Sequence, residues 1–527
     1  MNTTSRALVK PAAIAAIILT TLSPDISLAE QEGRSLTDDQ WRADIETVAS
    51  SIRDIHPRPF RNIERARFDE AVAQLIAAAP ELSDKEIIVR LAALVALADD
   101  GHTRLALPRQ YPEIGLEFGH TPTPAPEHAS LEFSQLPVAF EQFADGVYVV
   151  AATADHRELI GDRLVAIDDT PVAEAMEAIK AITFAENKQL DRLMGADRLS
   201  LPEALAALGI ARSANSLTLA LEDDNGVRKV EVEPLSGKDP DWIGSFADDK
   251  LPLRLQRPER KFWAEHVEDG NFVYMQMDEI GDDDIPLAQF VVETLDLATT
   301  KNARLIIDVR NNFGGSGGLN RTLVTSLIGN DSLNRHDRTF VLIGRRTFSA
   351  AQMLVNELER YTHVTFVGEP TGSRPDHFGD PQKIRLEHSG LTLRVSRLHW
   401  SSYTAFDERD STHPDFPVAW TSDAYFSGQD PALDFALGLD DTSMNTLLMG
   451  AIERRDMQQV ARYTLGSKLS ADTYAVDISP VLVDLVSEFA RTEDFDAAAL
   501  TCRIGLYFFP EHRGFAMALR RLSFDES

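Results

Sequence analysis

The chain has 527 residues, of which 43% are hydrophobic and 26% charged, so it has a globular composition and exceeds the length of a single core. Its formal net charge of −31 argues against nucleic-acid binding through a basic face, because an acidic surface repels phosphate. The chain has a single cysteine, Cys502, which excludes an intrachain disulfide. The acidic run 282–284 lacks the spacing of a calcium loop, and we expect no metal and no cofactor.

Residues 1–29 are typical of a secretory signal peptide. Arg6 and Lys10 supply positive charge, an apolar run covers 11–22, and small residues suited to cleavage follow at 27–29. The apolar run is too short to span a bilayer, and no other segment reaches about 18 apolar residues. We therefore expect an exported chain, periplasmic or extracellular, with no membrane span once the peptide is removed. An uncleaved anchor is the alternative.

Residues 30–105 are expected to form an N-terminal helical domain. Capping boxes at 37–40 and 83–86 each precede apolar residues at helical spacing, and the first helix should end at His56 and Pro57. Residues 106–131 are rich in proline and lack periodicity, which predicts a loop or linker. Loops of this length often serve as lids or binding loops.

Residues 132–235 are expected to form a small, mostly β domain. A strand is predicted at 146–150, a turn and strand at 161–168, and a helix at 172–182. This order and the sequence GDRLVAIDDTPV resemble a PDZ-like module, which would bind a peptide by adding it to a sheet edge. A generic β-rich insertion is the alternative.

Residues 260–430 alternate between strand and helix patterns, which predicts a multidomain α/β protein with a mainly parallel sheet in a domain at 236–439. The predicted segments are strands at 272–277, 304–309, 338–343, 363–367 and 391–398, and helices at 286–298, 319–328 and 349–361. Reactive groups in such sheets lie at the carboxyl ends of the strands. Residues 440–527 are expected to form a C-terminal helical extension, either a tetratricopeptide-like pair or a helical cap.

Two segments in the α/β region could carry chemistry. The glycine-rich loop at 311–318 follows a buried strand and lacks both the dinucleotide spacing and a GK[ST] signature, so an oxyanion hole is its best functional interpretation. Ser349 lies at a helix start, where serine is most often an N-cap. The helix dipole would also favour a developing negative charge there, and the Ala350 N–H could face an oxyanion.

A third segment, Asp100-Gly101-His102-Thr103, lies at a helix end, where a lone histidine is usually structural. Taken together, DGHT, IIDVRNNFGG and TFSAAQ occur in an order that resembles the tail-specific (C-terminal-processing) serine peptidase family. That family includes the tricorn protease core and the interphotoreceptor retinoid-binding protein. The resemblance continues through GEPTG, FGD and HPDFPV, covers about residues 40 to 440 and implies a crotonase-like, ClpP-like core.

The family uses two catalytic designs. A Ser/Lys dyad needs a lysine in the turn after the next strand, but residues 372–377 contain none, and Arg374 cannot accept a proton near neutral pH. The resemblance therefore implies the tricorn-like design, with His102 as base and Glu408 as the acidic member, Asp407 being the near alternative. Gly101 stands where the tricorn pattern has a serine, so Thr103 or a water would have to take that role.

These residues together predict a serine-type peptidase that cleaves peptides or unfolded protein chains. His102 would take the Ser349 proton during attack and pass it to the leaving amine. The N–H groups of Gly314 or Gly315 and of Ala350 would bind the oxyanion. The alternatives are a non-catalytic binding protein for an apolar ligand or peptide on the same scaffold, and an esterase or amidase acting on small molecules.

Overall fold

The computed structural model describes residues 34–109, 129–235, 240–246, 251–401, 407, 409–439, 444–455, 459–460 and 479–522. The predicted signal peptide and most of the proline-rich loop lie outside these ranges, as does Glu408. No helix within them is long and apolar enough to cross a membrane. The chain has a mixed α/β fold with several sheets and many helices.

The α-helices of the described ranges are numbered in chain order. They are α1 (Asp38–Ile55), α2 (Arg65–Ala78), α3 (Asp84–Ala96), α4 (Val172–Ile179), α5 (Lys188–Arg198), α6 (Pro202–Ala207), α7 (Leu287–Thr300), α8 (Asn320–Ile328), α9 (Ala350–Tyr361), α10 (Ser422–Phe426), α11 (Pro431–Gly438), α12 (Met444–Glu453), α13 (Ser479–Arg491), α14 (Phe495–Phe508) and α15 (Arg513–Leu522).

The strands are numbered in the same way. They are β1 (Arg104–Leu105), β2 (Val138–Gln142), β3 (Val147–Thr153), β4 (Arg163–Ile167), β5 (Thr170–Pro171), β6 (Leu217–Asp223), β7 (Gly226–Val232), β8 (Trp242–Gly244), β9 (Phe262–Val267), β10 (Phe272–Met277), β11 (Arg304–Asp308), β12 (Thr339–Ile343), β13 (Thr365–Gly368), β14 (His377–Gly379), β15 (Gln382–Arg385), β16 (Thr392–Val395), β17 (Leu398–Trp400) and β18 (Phe416–Pro417).

Both predicted capping boxes form in the N-terminal helices. Thr37 N–H donates to Gln40 Oε1 at 2.9 Å and Gln40 N–H donates to Thr37 Oγ1 at 3.3 Å, so two free donors of α1 are satisfied. Ser83 and Glu86 form the same reciprocal pair before α3. Helix α1 ends at Ile55, immediately before His56, as the following proline requires.

A six-stranded sheet with the order β18-β13-β12-β11-β10-β9 forms the centre of the α/β region. All neighbouring strands are parallel except β9, which pairs antiparallel with β10. Helices α7, α8 and α9 supply the apolar residues that cover one face, while α11 packs on the other. The turns that follow β11 and β12 therefore meet at one edge, which is the edge where α/β proteins carry their reactive groups.

A second sheet, with the order β2-β3-β4-β6-β7, is antiparallel and carries β5 and β8 at its side. Its buried residues belong to one continuous core with those of α1 to α3. Leu393 and Val395 of β16 are buried in the same core. Strand β16 pairs with both β1 and β15, so this small sheet joins the segment after α3 to the region that follows β14.

The C-terminal helices α12 to α15 have an apolar core of their own. Cys502 is buried in it, and burial raises the pKa of its thiol to about 11. A thiol with so high a pKa is almost entirely protonated at neutral pH, so it is a poor nucleophile. This agrees with the packing role that an isolated cysteine in an apolar helix usually has.

Candidate active site

Ser349 occupies a sharp turn between β12 and α9. Its backbone has φ 56° and ψ −121°, a conformation that costs free energy for a residue with a side chain and persists only where the surroundings impose it. The turn is fixed by Thr347, whose Oγ1 donates to Val309 O at 2.9 Å and accepts from Gly344 N–H at 3.0 Å. Such a strained strand-to-helix turn exposes a serine hydroxyl above the end of the sheet.

The hydroxyl of Ser349 does not cap α9, although serine at a helix start usually does. Its Oγ lies 2.8 Å from Nε2 of His102, which comes from the segment after α3. The imidazole ring is stacked on the ring of Phe348, with the ring centres 4.5 Å apart. The structure thus brings together a serine hydroxyl and a histidine nitrogen in the geometry of a nucleophile and its base.

Asp100 is a buried carboxylate beside His102 to which the sequence pattern assigned no role. Its Oδ1 accepts the backbone N–H of His102 at 3.0 Å and lies 4.0 Å from the ring nitrogen Nδ1. Within the described ranges Nδ1 has no hydrogen-bond partner. For Nε2 to accept the Ser349 proton, the ring proton must be on Nδ1, and Asp100 Oδ1 is the carboxylate oxygen that the described residues place within 4.0 Å of it.

Two further side chains hold Asp100 in place at its other oxygen. Ser396 Oγ donates to Oδ2 at 2.6 Å, and His56 Nε2 lies 3.2 Å from the same oxygen. Nδ1 of His56 accepts the N–H of Arg58 at 3.1 Å, so the proton of a neutral His56 lies on Nε2 and is donated to Asp100. These bonds favour the charged form of Asp100 and keep its pKa below the usual range despite burial.

The pKa of His102 is lowered to about 3. Burial is the main cause, since it disfavours the charged imidazolium; the charge of Asp100 opposes this, and the nearby His377, Arg104 and Arg394 add to the lowering. The base is therefore neutral, and able to accept a proton, over the whole pH range in which the protein is expected to work.

We expect hydrolysis to continue well below pH 6.5. A base with the ordinary histidine pKa of about 6.5 would lose about 30-fold in rate at pH 5, whereas a base with a pKa of about 3 loses almost nothing there. The profile of kcat/KM against pH from 4 to 8 tests this. Glu186→Gln is the companion variant, because the buried Glu186 carboxyl group has a pKa raised to about 7 and could also change the rate in this range. A midpoint near pH 6.5 in both the wild-type protein and this variant would contradict the expectation.

Glu186 is a second buried carboxyl group near Asp100. Burial and the charge of Asp100 raise the pKa of Glu186 to about 7. Its Oε1 accepts the hydroxyl of Ser373 and the backbone N–H of Arg374, while the Arg374 guanidinium pairs with Asp99 at 3.0 Å. Residues 372–377 form the turn in which a Ser/Lys dyad enzyme would carry its lysine. Here Ser373 and Arg374 of that turn bind the carboxyl groups of Glu186 and Asp99.

The glycine loop after β11 packs directly against Ser349. A side chain at Gly314 would place its Cβ 2.7 Å from Cβ of Ser349, and one at Gly315 would come within 2.2 Å of Ile280 O. Both glycines have positive φ, so both positions require glycine. The loop is also fixed by bonds from Ile280 N–H to Gly314 O and from Ser316 N–H to Ile280 O.

The three expected oxyanion donors are not equally available. Gly314 N–H donates to Asn312 Oδ1 at 2.9 Å, so it is already engaged. No acceptor in the described part of the chain takes the N–H of Gly315 or that of Ala350. The available donors next to Ser349 are therefore those of Gly315 and Ala350, so of the two glycines expected as alternatives Gly315 is the one whose N–H is not already engaged.

Asn312 organises this loop and was not identified from the sequence. It is fully buried, its Nδ2 donates to Met277 O at 2.8 Å, and its backbone O accepts the N–H of Phe348 at 3.0 Å. One side chain thus ties the end of β10 to the glycine loop, and its backbone carbonyl ties that loop to the Ser349 turn. Its position two residues before the glycine run was the available signal.

A buried ion-pair network lies at the base of the same loop. Arg310 donates two bonds to Asp430, at 2.7 and 2.6 Å, and is also bonded to Asp308. Tyr274 OH donates to Asp308 Oδ2 at 2.6 Å. Because these carboxylates surround Arg310, its pKa stays well above the usual value in spite of burial, and the loop is anchored by a permanent charge.

The resemblance implies an acidic partner for His102 at Glu408 or at Asp407. Glu408 lies outside the described residues, and Asp407 accepts from Arg409 Nε at 3.0 Å. Arg409 also pairs with Glu359, which lies ten residues beyond Ser349 on α9, about 15 Å along a helix. The structure therefore does not bring Asp407 to His102.

Thr103, suggested as a substitute for the missing serine of the tricorn pattern, forms no hydrogen bond to an acidic side chain among the described residues. Thr103 Oγ1 accepts the backbone N–H of Ser396 at 3.0 Å, which commits it to the β1–β16 connection. At Gly101, a Cβ would lie 2.7 Å from the Phe348 ring, so a serine there would displace the ring that stacks on His102. The stacking of Phe348 on His102 therefore leaves no room for a side chain at position 101.

Within the described ranges, no three His, Cys, Asp or Glu side chains are grouped so that they could hold a metal ion. The acidic run considered for calcium has structural partners. Asp282 Oδ1 accepts the N–H of Leu287 at 2.9 Å, Asp283 accepts the N–H of Lys261 at 3.1 Å, and Asp284 pairs with Arg260. The run thus supports the start of α7 and its neighbouring turn.

No protein-family model matches the sequence, and none of the curated proteins matches it. Solved structures do match. Mature CPAF has a TM-score of 0.50 and 14% identity over 77% of this chain and 99% of that chain. CPAF in complex with lactacystin has a TM-score of 0.50 and 13% identity over 76% of this chain and 97% of that chain.

The photosystem II D1 C-terminal processing protease also matches, with a TM-score of 0.34 and 14% identity over 73% of this chain and 94% of that chain. The two CPAF matches span almost the whole of that protein, so the chain shares the fold of mature CPAF. The resemblance that the motifs indicate is borne out as a likeness of fold, through the match to mature CPAF.

Proposed function

We propose that this chain is a serine peptidase of the tail-specific type, which cleaves peptides or unfolded protein chains through an acyl-enzyme. The observation that carries the proposal is the 2.8 Å contact between His102 Nε2 and Ser349 Oγ, made by a serine that does not cap its own helix. A strained backbone and a buried, neutral histidine at the same point are costly to the fold, and a catalytic role accounts for both.

In the proposed mechanism the Ser349 hydroxyl gives its proton to His102 as Oγ attacks the carbonyl carbon of the substrate. The negative charge that develops on the carbonyl oxygen is stabilised by the N–H groups of Gly315 and Ala350. His102 then donates the proton to the leaving amine, and a water repeats the cycle to release the acyl group. Asp100 favours the imidazolium of His102 that forms at each step, since its charge is close and buried.

The finer domain layout belongs to the same proposal. A crotonase-like catalytic core at 236–439 is supported by the parallel order of β10 to β13 and β18. A PDZ-like domain at 132–235 is supported by the antiparallel sheet of that region, which would bind peptides along an edge. The helical segments at 30–105 and 440–527 would flank these two units.

The location of the protein is likewise a proposal. The charge, the short apolar run and the small residues of 1–29 support export to the periplasm or the medium. A peptidase acting on unfolded chains outside the cytoplasm would need neither a membrane span nor a nucleic-acid surface.

The test of the function is hydrolysis by the purified protein of two substrate sets. One is a library of internally quenched peptides, and the other is a series of short acyl esters. We expect peptide cleavage that disappears in Ser349→Ala. Ester hydrolysis without any peptide cleavage would indicate the small-molecule hydrolase instead. An inactive, folded protein that co-purifies with an apolar ligand in native mass spectrometry would indicate the binding protein.

The role of Asp100 can be measured with Asp100→Asn. The amide keeps the shape but removes the charge that stabilises imidazolium, so we expect kcat to fall by about 10²- to 10⁴-fold with little change in KM. Asp99→Asn is the matched control, because Asp99 pairs with Arg374 and not with His102. If kcat of Asp100→Asn equals that of Asp99→Asn, a carboxylate other than Asp100 stabilises the His102 imidazolium.

A further inference from the structure

Four cationic side chains lie on one face of the small sheet formed by β1, β16 and β15. Arg104 is directly opposite Arg394, and Arg394 is directly opposite Lys383. Arg385 follows Lys383 by two residues and so lies on the same face. The opposite face carries Leu105, Leu393 and Val395, which are buried in the core. We call the four cations the cationic face.

Their arrangement is costly for folding. Like charges directly opposite one another on neighbouring strands destabilise a sheet, and here two such pairs are adjacent. The formal net charge of −31 means that carboxylates are abundant elsewhere in the chain. Yet among the residues described, no carboxylate forms an ion pair or hydrogen bond with Lys383, Arg385 or Arg394.

Charged side chains often protect an edge strand from pairing with other chains, but this role does not account for all four residues of the cationic face. Charged residues on an edge strand prevent pairing with other chains, and β15 is such a strand. Arg394 lies on the middle strand β16, where this role does not arise, and it is partly buried. Burial even lowers the pKa of its guanidinium, which means that the charge is held at a cost.

The cationic face is continuous with the site. Arg104 follows His102 by two residues, and Arg394 precedes Ser396, which is bonded to Asp100, by two residues. Two residues of extended chain span about 7 Å. The positive charges of Arg104 and Arg394 act on His102 and contribute to its lowered pKa. A peptide at Ser349 would therefore reach these cations within about two to four residues of its scissile bond.

We propose that the cationic face binds a carboxylate of the peptide substrate, so that the protein prefers peptides with an acidic group within a few residues of the cleaved bond. This inference rests on the proposed peptidase function. The occupant is one class of ligand, an acidic peptide segment, and its carboxylate comes from an Asp or Glu side chain or from the chain terminus. Charge complementarity in an otherwise acidic molecule carries the argument.

The test measures binding on the Ser349→Ala variant, so that cleavage is not required. Fluorescent peptides of one sequence carry Glu or Gln at successive positions, each with a free or an amidated C-terminus, and anisotropy is recorded at low and at 0.5 M salt. We expect the Glu peptides to bind about tenfold more tightly than the Gln peptides at low salt, with the difference reduced at high salt. A preference that depends on the free terminus identifies the terminal carboxylate as the ligand group.

The variant that tests the cationic face is Lys383→Gln/Arg394→Gln, which should remove the difference between Glu and Gln peptides. Lys301→Gln/Arg335→Gln removes the same charge from the opposite end of the central sheet and should leave the difference unchanged. Equal binding of Glu and Gln peptides, or a preference that survives in the first variant, overturns the inference. If the wild-type protein cleaves no peptide, the proposed peptidase function fails. The comparison of Glu and Gln peptides still decides whether the cationic face binds a carboxylate.

Discussion

Replacing Ser349 by alanine is expected to abolish labelling by a fluorophosphonate probe and to lower kcat by about 10⁴-fold or more. The probe reacts only with an activated hydroxyl, and the 2.8 Å contact with His102 Nε2 is what activates this one. His102→Ala should have a similar effect, because an unassisted serine hydroxyl is a weak nucleophile. The double variant should be no worse than either single one, since two residues that act as a unit give non-additive losses.

Matched controls are available in the same chain. Ser316→Ala removes an exposed hydroxyl from the neighbouring glycine loop, and His363→Ala removes an exposed histidine beyond the end of α9. Both variants should be labelled at the wild-type rate. Labelling that persists in Ser349→Ala, or that is lost in Ser316→Ala, would assign the reactive hydroxyl to another residue and would refute the proposed mechanism.

Gly315→Ala is expected to reduce kcat by about 10²- to 10³-fold, the loss that follows removal of one oxyanion donor. The new Cβ would lie 2.2 Å from Ile280 O, and φ at this position is +132°, so the loop must move away from its present contacts. Such a movement takes the Gly315 N–H away from the carbonyl oxygen of the substrate. KM should change much less than kcat, because the donor acts mainly on the transition state.

Gly318→Ala distinguishes this effect from a general intolerance of the loop. No atom lies within 4 Å of a Cβ built at Gly318, and its φ is not in the positive region, so we expect a rate within about twofold of wild type. Thermal unfolding of both variants reports whether the fold is retained. A folded Gly315→Ala protein with full activity would show that the oxyanion is bound elsewhere.

Local sequence patterns were sufficient for most of the secondary structure. The strand predicted at 272–277 is found with the same bounds, and the helix predicted at 286–298 is found at Leu287–Thr300. The segment predicted as one strand at 391–398 is instead two strands, β16 and β17, in two different sheets. Pairing with distant partners decides that break, and nothing in the local pattern reports it.

Some residues of the site could also be predicted from the sequence, whereas others were recognised only in the folded structure. Motif order was enough to select Ser349 and His102, which the structure brings together from the start of α9 and the segment after α3. Asp100 and Asn312 were missed because their importance depends on what their side chains reach after folding. Gly314 was expected as a donor because a glycine run suggests free N–H groups, yet the preceding Asn312 takes that N–H for itself.

His102 precedes Ser349 by 247 residues. It follows α3, whose apolar residues belong to one core, whereas Ser349 precedes α9, whose apolar residues belong to another. During translation at about 5 to 20 residues per second, the base would emerge about 12 to 50 s before the nucleophile. A nascent chain that ends before residue 349 therefore lacks one member of the reacting pair. Under the proposed function, this separation in sequence delays the assembly of the pair until both segments have been synthesised.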